Sequence, residues 1–293
     1  MTFSNKKFNP IIFIGMHRSG TSLVGRSLEQ LGLFVGRQKD KNNEAIFFLQ
    51  MNTWLMNQCG ARWDQPEPIA DLWENAAKAV LEASKNYALD LMESPRAISY
   101  SGLSRYVMNR SISKLQSPWG WKDPRNTYTL PFWTKIFPEA KVIYIERHGV
   151  DVAQSLRVRA NQSAKITTEK YRRFRQLAWF HPKRGGFSDS PRCLSLEGGF
   201  SLWEAYQNQA RDILQGISKE QILQIRYEDF LKEPEVLLTE ACKFCALPVN
   251  ADKLRKVTGS INYSRALSYR NNEELRNFAT HQRERLDKWR YEP

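Results

Sequence analysis

From residue 10 the chain alternates short apolar runs, each ending in a polar cluster, with longer amphipathic stretches. "PIIFIG" (10–15) is apolar throughout and closes on glycine, the pattern of a strand buried on both faces. "SGTSLVGRSLEQLG" then places Leu23, Leu28 and Leu31 near helical spacing and ends on Gly32 as a C-cap. The strand pattern returns in "WGWKDP" (119–124), where Pro124 ends the element, in "KVIYIERH" (141–148) and in "QILQIRYEDF" (221–230). "GVDVAQSLRVR" and "EPEVLLTEACKFCAL" read as the helices that follow the last two. Strands alternating with helices predict an α/β fold, a three-layer sandwich around a central parallel sheet. Such sheets bind ligands at the carboxyl ends of their strands. Three of those ends carry polar clusters here: "GMHRSGTS", "KDPR" and "ERHG".

No internal repeat or low-complexity linker interrupts the pattern, so a single domain over 1–293 is expected. Residues 157–200 are dense in Arg and Lys before a Gly-, Ser- and Pro-containing region without periodicity. They read as a helix plus a surface loop, an insertion covering the substrate or a solvated basic decoration. With 293 residues and 41% hydrophobic content, the chain can bury one substantial core. Its net charge of +13 favours acidic partners: nucleic acid, an anionic membrane surface or a polyanionic small molecule. "MTFSNKKFN" lacks the apolar stretch of a signal peptide, and no run approaches the ~18 apolar residues of a membrane span. Four scattered cysteines (Cys59, Cys193, Cys242, Cys245) make no disulfide framework, so a reduced, cytoplasmic, soluble protein is expected. "CKFC" (242–245) reads as an apolar helix face, not a metal site.

The chemistry concentrates in the first turn. A nucleotide-binding P-loop, G-x-x-x-x-G-K-[ST], uses its lysine on the terminal phosphates. Gly15 and Gly20 keep that separation, but Thr21 stands where the lysine would be and the cation is Arg18, inside the loop. The P-loop-like strand–turn–helix still points the amides of Ser19, Gly20, Thr21 and Ser22 at an anion.

"HRSGTS" between strand and helix resembles the 5′-phosphosulfate loop of sulfotransferases that use 3′-phosphoadenylyl sulfate (PAPS), with His17 where proline is usual. "ERHGVDVAQSL" resembles the same family's 3′-phosphate motif: Arg147 at a strand end and Ser155 eight residues on, groups suited to phosphate oxygens. "WGWKDPRN" and "IRYEDFLKEPEVLL" look like stretches of bacterial sulfotransferases, and the resemblance runs from about residue 10 to 247. It implies cofactor contacts from His17, Arg18, Ser19, Gly20, Thr21, Ser22, Arg147, Ser155 and Tyr227, with PAPS as co-substrate, PAP as product and no metal. It also implies three catalytic groups. Arg18 would bind the 5′-phosphate and the bridging oxygen. Lys122, matching the "KDP" lysine of tyrosylprotein sulfotransferases, would stabilise the transferring group. Glu44, in the "EAIFF" that resembles the E-x-x-F-F of heparan sulfate N-sulfotransferases, would be the general base.

Three of these residues also have a plainer reading: Glu44 as a helix first-turn residue, Lys122 as a surface lysine beside Asp123, Arg147 as a cap on the sheet edge. His17 is a rival base but reads more readily as a loop-packing or substrate-contact residue; His148, His181 and His281 have weaker claims. "YSRALSYR" (263–270) is a candidate C-terminal loop over the 3′-phosphate, through Arg265 or Arg270. The expected activity is sulfuryl transfer to a hydroxyl or amine of a carbohydrate or small metabolite, with no nucleic-acid partner. Trp54, Trp63 and Trp119 are candidates to stack on sugar rings, against the reading that tryptophans fill a core. The basic insertion hints at an anionic saccharide acceptor. Two other readings stay open at this level: a P-loop kinase with a degenerate loop, and a basic nucleic-acid-binding protein, although the Lys and Arg residues are dispersed.

Overall fold

Four parallel strands in the order β2-β1-β3-β4 form the sheet: β1 (Ile11–Ile14), β2 (Gly120–Lys122), β3 (Lys141–Glu146) and β4 (Ile222–Arg226). The structure is a computed structural model that describes residues 8–176, 180 and 185–293. His181 and part of the basic insertion lie outside the described residues. Between β1 and β2 come α1 (Thr21–Gln30), α2 (Ile46–Asn57), α3 (Lys78–Glu93) and the short α4 (Ile98–Ser101) and α5 (Leu103–Asn109). α6 (Asn126–Ile136) leads to β3; α7 (Gly149–Arg173) and α8 (Leu196–Leu214) lead to β4. Then follow α9 (Tyr227–Lys232), α10 (Pro234–Phe244), α11 (Ala251–Thr258), α12 (Glu273–His281) and α13 (Arg283–Asp287).

The chain groups into two units. The first holds residues 1–146 and 206–263, and with them the whole sheet. Every residue of β1 is buried, as its unbroken apolar run requires of a strand covered on both faces. Ile11 pairs with Gly120 on one side and Lys141 on the other, which makes β1 a central strand. The order 2-1-3-4 reverses direction between β1 and β3, and the carboxyl ends there form the crevice in which sheets of this type take ligands. Below it lies an aromatic core: Phe48 of α2 stacks on Trp121 with ring centroids 3.8 Å apart and meets Trp133 and Tyr100 edge-on. Trp119 is fully buried in that core, so it is no sugar platform.

The second unit holds residues 147–205 and 264–293. Its long helix α7 starts at Gly149 with His148 as N-cap, the imidazole Nδ1 accepting from the Val150 amide at 3.3 Å. The unit is closed by Arg157, which donates to both carboxylate oxygens of Glu274 on α12 at 2.6 and 2.8 Å. Trp203 of α8 donates its indole N–H to the Arg147 carbonyl at 3.0 Å.

Candidate active site

The turn between β1 and α1 is tight because two glycines allow it to be. Gly15 has φ +132°, and a Cβ there would lie 2.2 Å from the Ile145 carbonyl oxygen of the neighbouring strand. Its amide donates to Thr127 Oγ1 at 2.9 Å. Gly20 has φ +98°, and a Cβ would lie 2.2 Å from the ring of Tyr227, the first residue of α9. The turn therefore packs against the aromatic side chain that the sequence had placed at the cofactor. Between the glycines Arg18 adopts φ +72°, a conformation that non-glycine residues take only under constraint, and its side chain is exposed. Ser19 is buried and donates its hydroxyl to the Met16 carbonyl at 2.7 Å, closing the turn from inside. α1 then begins at Thr21 with no side-chain cap and no acidic residue in its first turn. A helix start of this kind, its positive end carrying no local anion, suits an external one.

His17 is buried and meets the Trp63 ring edge-on at 4.8 Å and Tyr206 at 6.4 Å. This is the geometry of a residue that packs the loop.

Ser22 connects the turn to a charged cluster. Its hydroxyl donates to the Asn42 carbonyl at 2.9 Å, and the same carbonyl accepts from Lys122 Nζ at 2.6 Å. Lys122 also donates to Glu44 Oε1 at 3.2 Å, and Arg125 Nη1 reaches Glu44 Oε2 at 3.4 Å and Asp123 Oδ1 at 3.0 Å. The segment 40–44 is held in shape by Asp40, whose Oδ1 accepts the amides of Asn42 and Glu44. Asp123 is anchored by Asn52 of α2 at 2.8 Å, and Asn52 in turn accepts from Thr129 and Trp133.

Lys122 is only 2% exposed and so is not a surface lysine. Glu44 is equally buried and lies before α2, which starts at Ile46 with Ala45 as its N-cap, so it is not a first-turn residue. Burial, with Asp123 adding to it, pushes the Glu44 carboxyl up to about 7; the cations Lys122 and Arg125 act against the rise without cancelling it. Arg125 is held firmly charged: burial opposes the charge, but Asp123 and Glu44 outweigh it.

A model of the sulfotransferase family matches residues 10–251. The chain belongs to the sulfotransferase family. Among solved structures, the sulfotransferase domain from the curacin biosynthetic pathway shares its fold: 17% identity, 95% of this chain and 98% of that one covered, TM-score 0.50. The sulfotransferase domain of the Synechococcus PCC 7002 olefin synthase (18% identity, 90% and 82% covered, TM-score 0.45) is also similar. So is a sulfotransferase of Mycobacterium tuberculosis H37Rv (12% identity, 87% and 72% covered, TM-score 0.49). None of the curated proteins matches the sequence. The α/β fold with its central parallel sheet is thus the sulfotransferase fold, and no helix among the described residues is long and apolar enough to cross a membrane.

In this sulfotransferase Arg147 immediately follows β3 and is largely buried in the second unit. Its Nη2 donates to Asp151 Oδ2 at 3.2 Å and to the Arg265 carbonyl at 2.8 Å. Asp151 also gathers the backbone amides of Ser268 and Tyr269 and the Ser268 hydroxyl. Arg265, Ser268 and Tyr269 of the candidate C-terminal loop are therefore gathered around Arg147 and Asp151, with Arg265 engaging Arg147 by main chain. Ser155 is half-buried on α7. His148 is buried, stacks on Tyr269 at 4.3 Å and is hydrogen-bonded through Nε2 to the Glu292 carbonyl at 2.9 Å. Since Nδ1 accepts from Val150, the proton sits on Nε2, and burial holds the imidazole down at about 4, in its neutral form.

Sequence reasoning missed Arg125 as a partner of Glu44, although "KDPR" had been singled out as a polar strand end, and it gave no role to Asp40, Asn42 or Asn52. His281 is exposed on α12. Cys242 and Cys245 are buried thiols, Cys245 pushed up to about 12 by burial, so "CKFC" is an apolar helix end.

Proposed function

We propose that this sulfotransferase takes its sulfuryl group from PAPS and passes it to a hydroxyl or amine of a small metabolite or carbohydrate, without a metal. The observation that carries the reading is one connected cluster: the Asn42 carbonyl receives both Ser22 of the phosphate turn and Lys122, and Lys122 holds Glu44. A candidate base and a candidate charge stabiliser are thus tied to the anion-binding turn.

The turn fits a phosphosulfate. Two glycines whose Cβ atoms would collide keep the main chain close, and an uncapped helix start supplies amides. Arg18 and the amides of Ser19 to Ser22 would hold the 5′-phosphate, with His17 packing the loop and Tyr227 bracing Gly20. Arg147 and Ser155 would hold the 3′-phosphate. When bound, PAPS supplies a sulfuryl group whose bond to the bridging oxygen breaks as the new S–O bond (to a hydroxyl) or S–N bond (to an amine) forms, the electron pair leaving on the phosphate of PAP. Glu44 takes the proton of the acceptor O–H or N–H; a carboxyl at about 7 is matched to that task near neutrality. Lys122 and Arg18 offset the charge that gathers on the leaving oxygen. Cationic and amide donors suffice because a sulfuryl group carries less negative charge than a phosphoryl group. Four cysteines outside any disulfide fit a reducing cytoplasm.

Isothermal titration tests this reading. PAP binds without magnesium, and Arg147→Ala weakens it at least tenfold. Binding of ATP only with magnesium, and none of PAP, would overturn the proposal in favour of a kinase.

A further inference from the structure

The first unit contains a cleft of about 250 Å³ lined by Thr53, Met56, Asn57, Ala61, Arg62, Trp63 and Arg125. Two separate contacts tie it to the chemistry described above. Arg125 lines the cleft and donates to Glu44 Oε2 at 3.4 Å. Trp63 lines it as well and meets His17, the residue before Arg18, at 4.8 Å. The cleft is also preformed. Arg62 and Gln65 exchange backbone hydrogen bonds at 2.9 and 3.1 Å, and Tyr206 holds the Trp63 carbonyl at 2.8 Å.

Several polar groups of the lining residues are already engaged. The Thr53 hydroxyl donates back to the Leu49 carbonyl at 2.7 Å, Arg62 Nε pairs with Asp64 at 3.2 Å, and Arg125 is shared between Asp123 and Glu44. Most of the surface that remains is methyl, thioether, methylene and indole, with Asn57 exposed at the solvent edge. A saccharide needs the reverse, a wall of convergent donors and acceptors for its hydroxyls. The volume lies below the roughly 300–1,000 Å³ of typical ligand pockets, so the occupant is small.

We infer that this cleft is the acceptor site and that the acceptor is a hydroxyl carried on a compact apolar body, aryl or alkyl, rather than an anionic saccharide. This rests on the sulfotransferase reading of Glu44 as the base. Packed between Trp63 and Met56, such a body directs its hydroxyl past Arg125 toward Glu44.

The test separates binding from turnover. 2-Naphthol and 1-octanol are titrated against the whole protein by calorimetry, and both, alongside a heparosan oligosaccharide, are offered as acceptors with labelled PAPS. The expected result is binding and sulfation of at least one apolar alcohol, little sulfation of the oligosaccharide, and a tenfold or greater loss of alcohol affinity in Thr53→Phe. PAP affinity of that variant stays within twofold of wild type. Asn57→Trp, at the exposed edge, serves if Thr53→Phe folds poorly. Sulfation of the oligosaccharide alone, or alcohol binding unchanged in both variants, overturns the inference. Alcohol binding that the variants abolish, in a protein that ignores PAP, sustains the cleft assignment and sinks the donor reading instead.

Discussion

Glu44 shows what a residue gains from its surroundings. As a free carboxyl it would be ionised and feebly basic at neutral pH. Buried beside Asp123 it rises to about 7, and Lys122 and Arg125 keep its charged form accessible. Glu44→Gln keeps the shape and removes the proposed base, so kcat should fall about 10²-fold or more while PAP binds as before. In wild type, kcat should climb with pH and level off above about 7, since the base works only deprotonated; the residual activity of the variant should lack that limb. A pH–rate profile of both proteins checks it, and a retained limb in Glu44→Gln would assign the base elsewhere. Glu44 was legible through the "EAIFF" segment, and Lys122 through "KDP". Their union was not, because 78 residues separate them and only the β1–β2 pairing brings β2 beside the turn.

Among elements, the strands were the most legible, because apolar runs cut off by polar clusters leave few alternatives. Their ends were less so: β2 is three residues long, and β3 stops at Glu146, leaving Arg147 and the N-cap His148 to lead into α7. α7 runs to Arg173 and so takes up much of what composition marked as an insertion. Residues 60–118 yielded no elements in sequence: most of the helices and 3₁₀ turns there are short, and α3, though 16 residues long, buries only Leu81, Ser84, Ala88 and Met92. The turn before α1 was readable from its two glycines, but not the ring that presses on the second. That contact predicts coupling. Gly20→Ala should lower stability by about 1–3 kcal/mol, from positive φ together with the Tyr227 clash, and weaken PAP at least tenfold. In a Tyr227→Ala background the cost of Gly20→Ala should shrink without vanishing, because the backbone strain remains. A double-mutant cycle by urea denaturation measures the difference, and strict additivity would place the ring elsewhere.

For the whole molecule, composition signalled one core and a basic surface, but not the division into two units. One boundary falls inside "KVIYIERHG" and another inside the continuous helix α8, with no linker chemistry at either. Each unit nevertheless buries a group whose shift falls in the mildly acid to neutral range, Glu44 in the first and His148 in the second, and these two shifts oppose each other. Glu44, raised to about 7, binds its proton more tightly folded than unfolded, so its contribution to stability is complete below about 4.5 and is lost as pH rises through 7. His148, lowered to about 4, binds its proton less tightly when folded, so its contribution is complete above about 6.5 and is lost as pH falls toward 4. Between about 4.5 and 6.5 the two slopes offset each other in wild type. Glu44→Gln should unmask a stability that rises with pH across that window relative to wild type. His148→Asn, which keeps an N-cap acceptor for α7, should unmask one that falls. The difference between the two variants should change by about 2 kcal/mol or more across the window, read from urea midpoints at pH 4.5, 5.5 and 6.5. Parallel pH dependences in wild type and both variants would mean that neither side chain titrates as its burial requires.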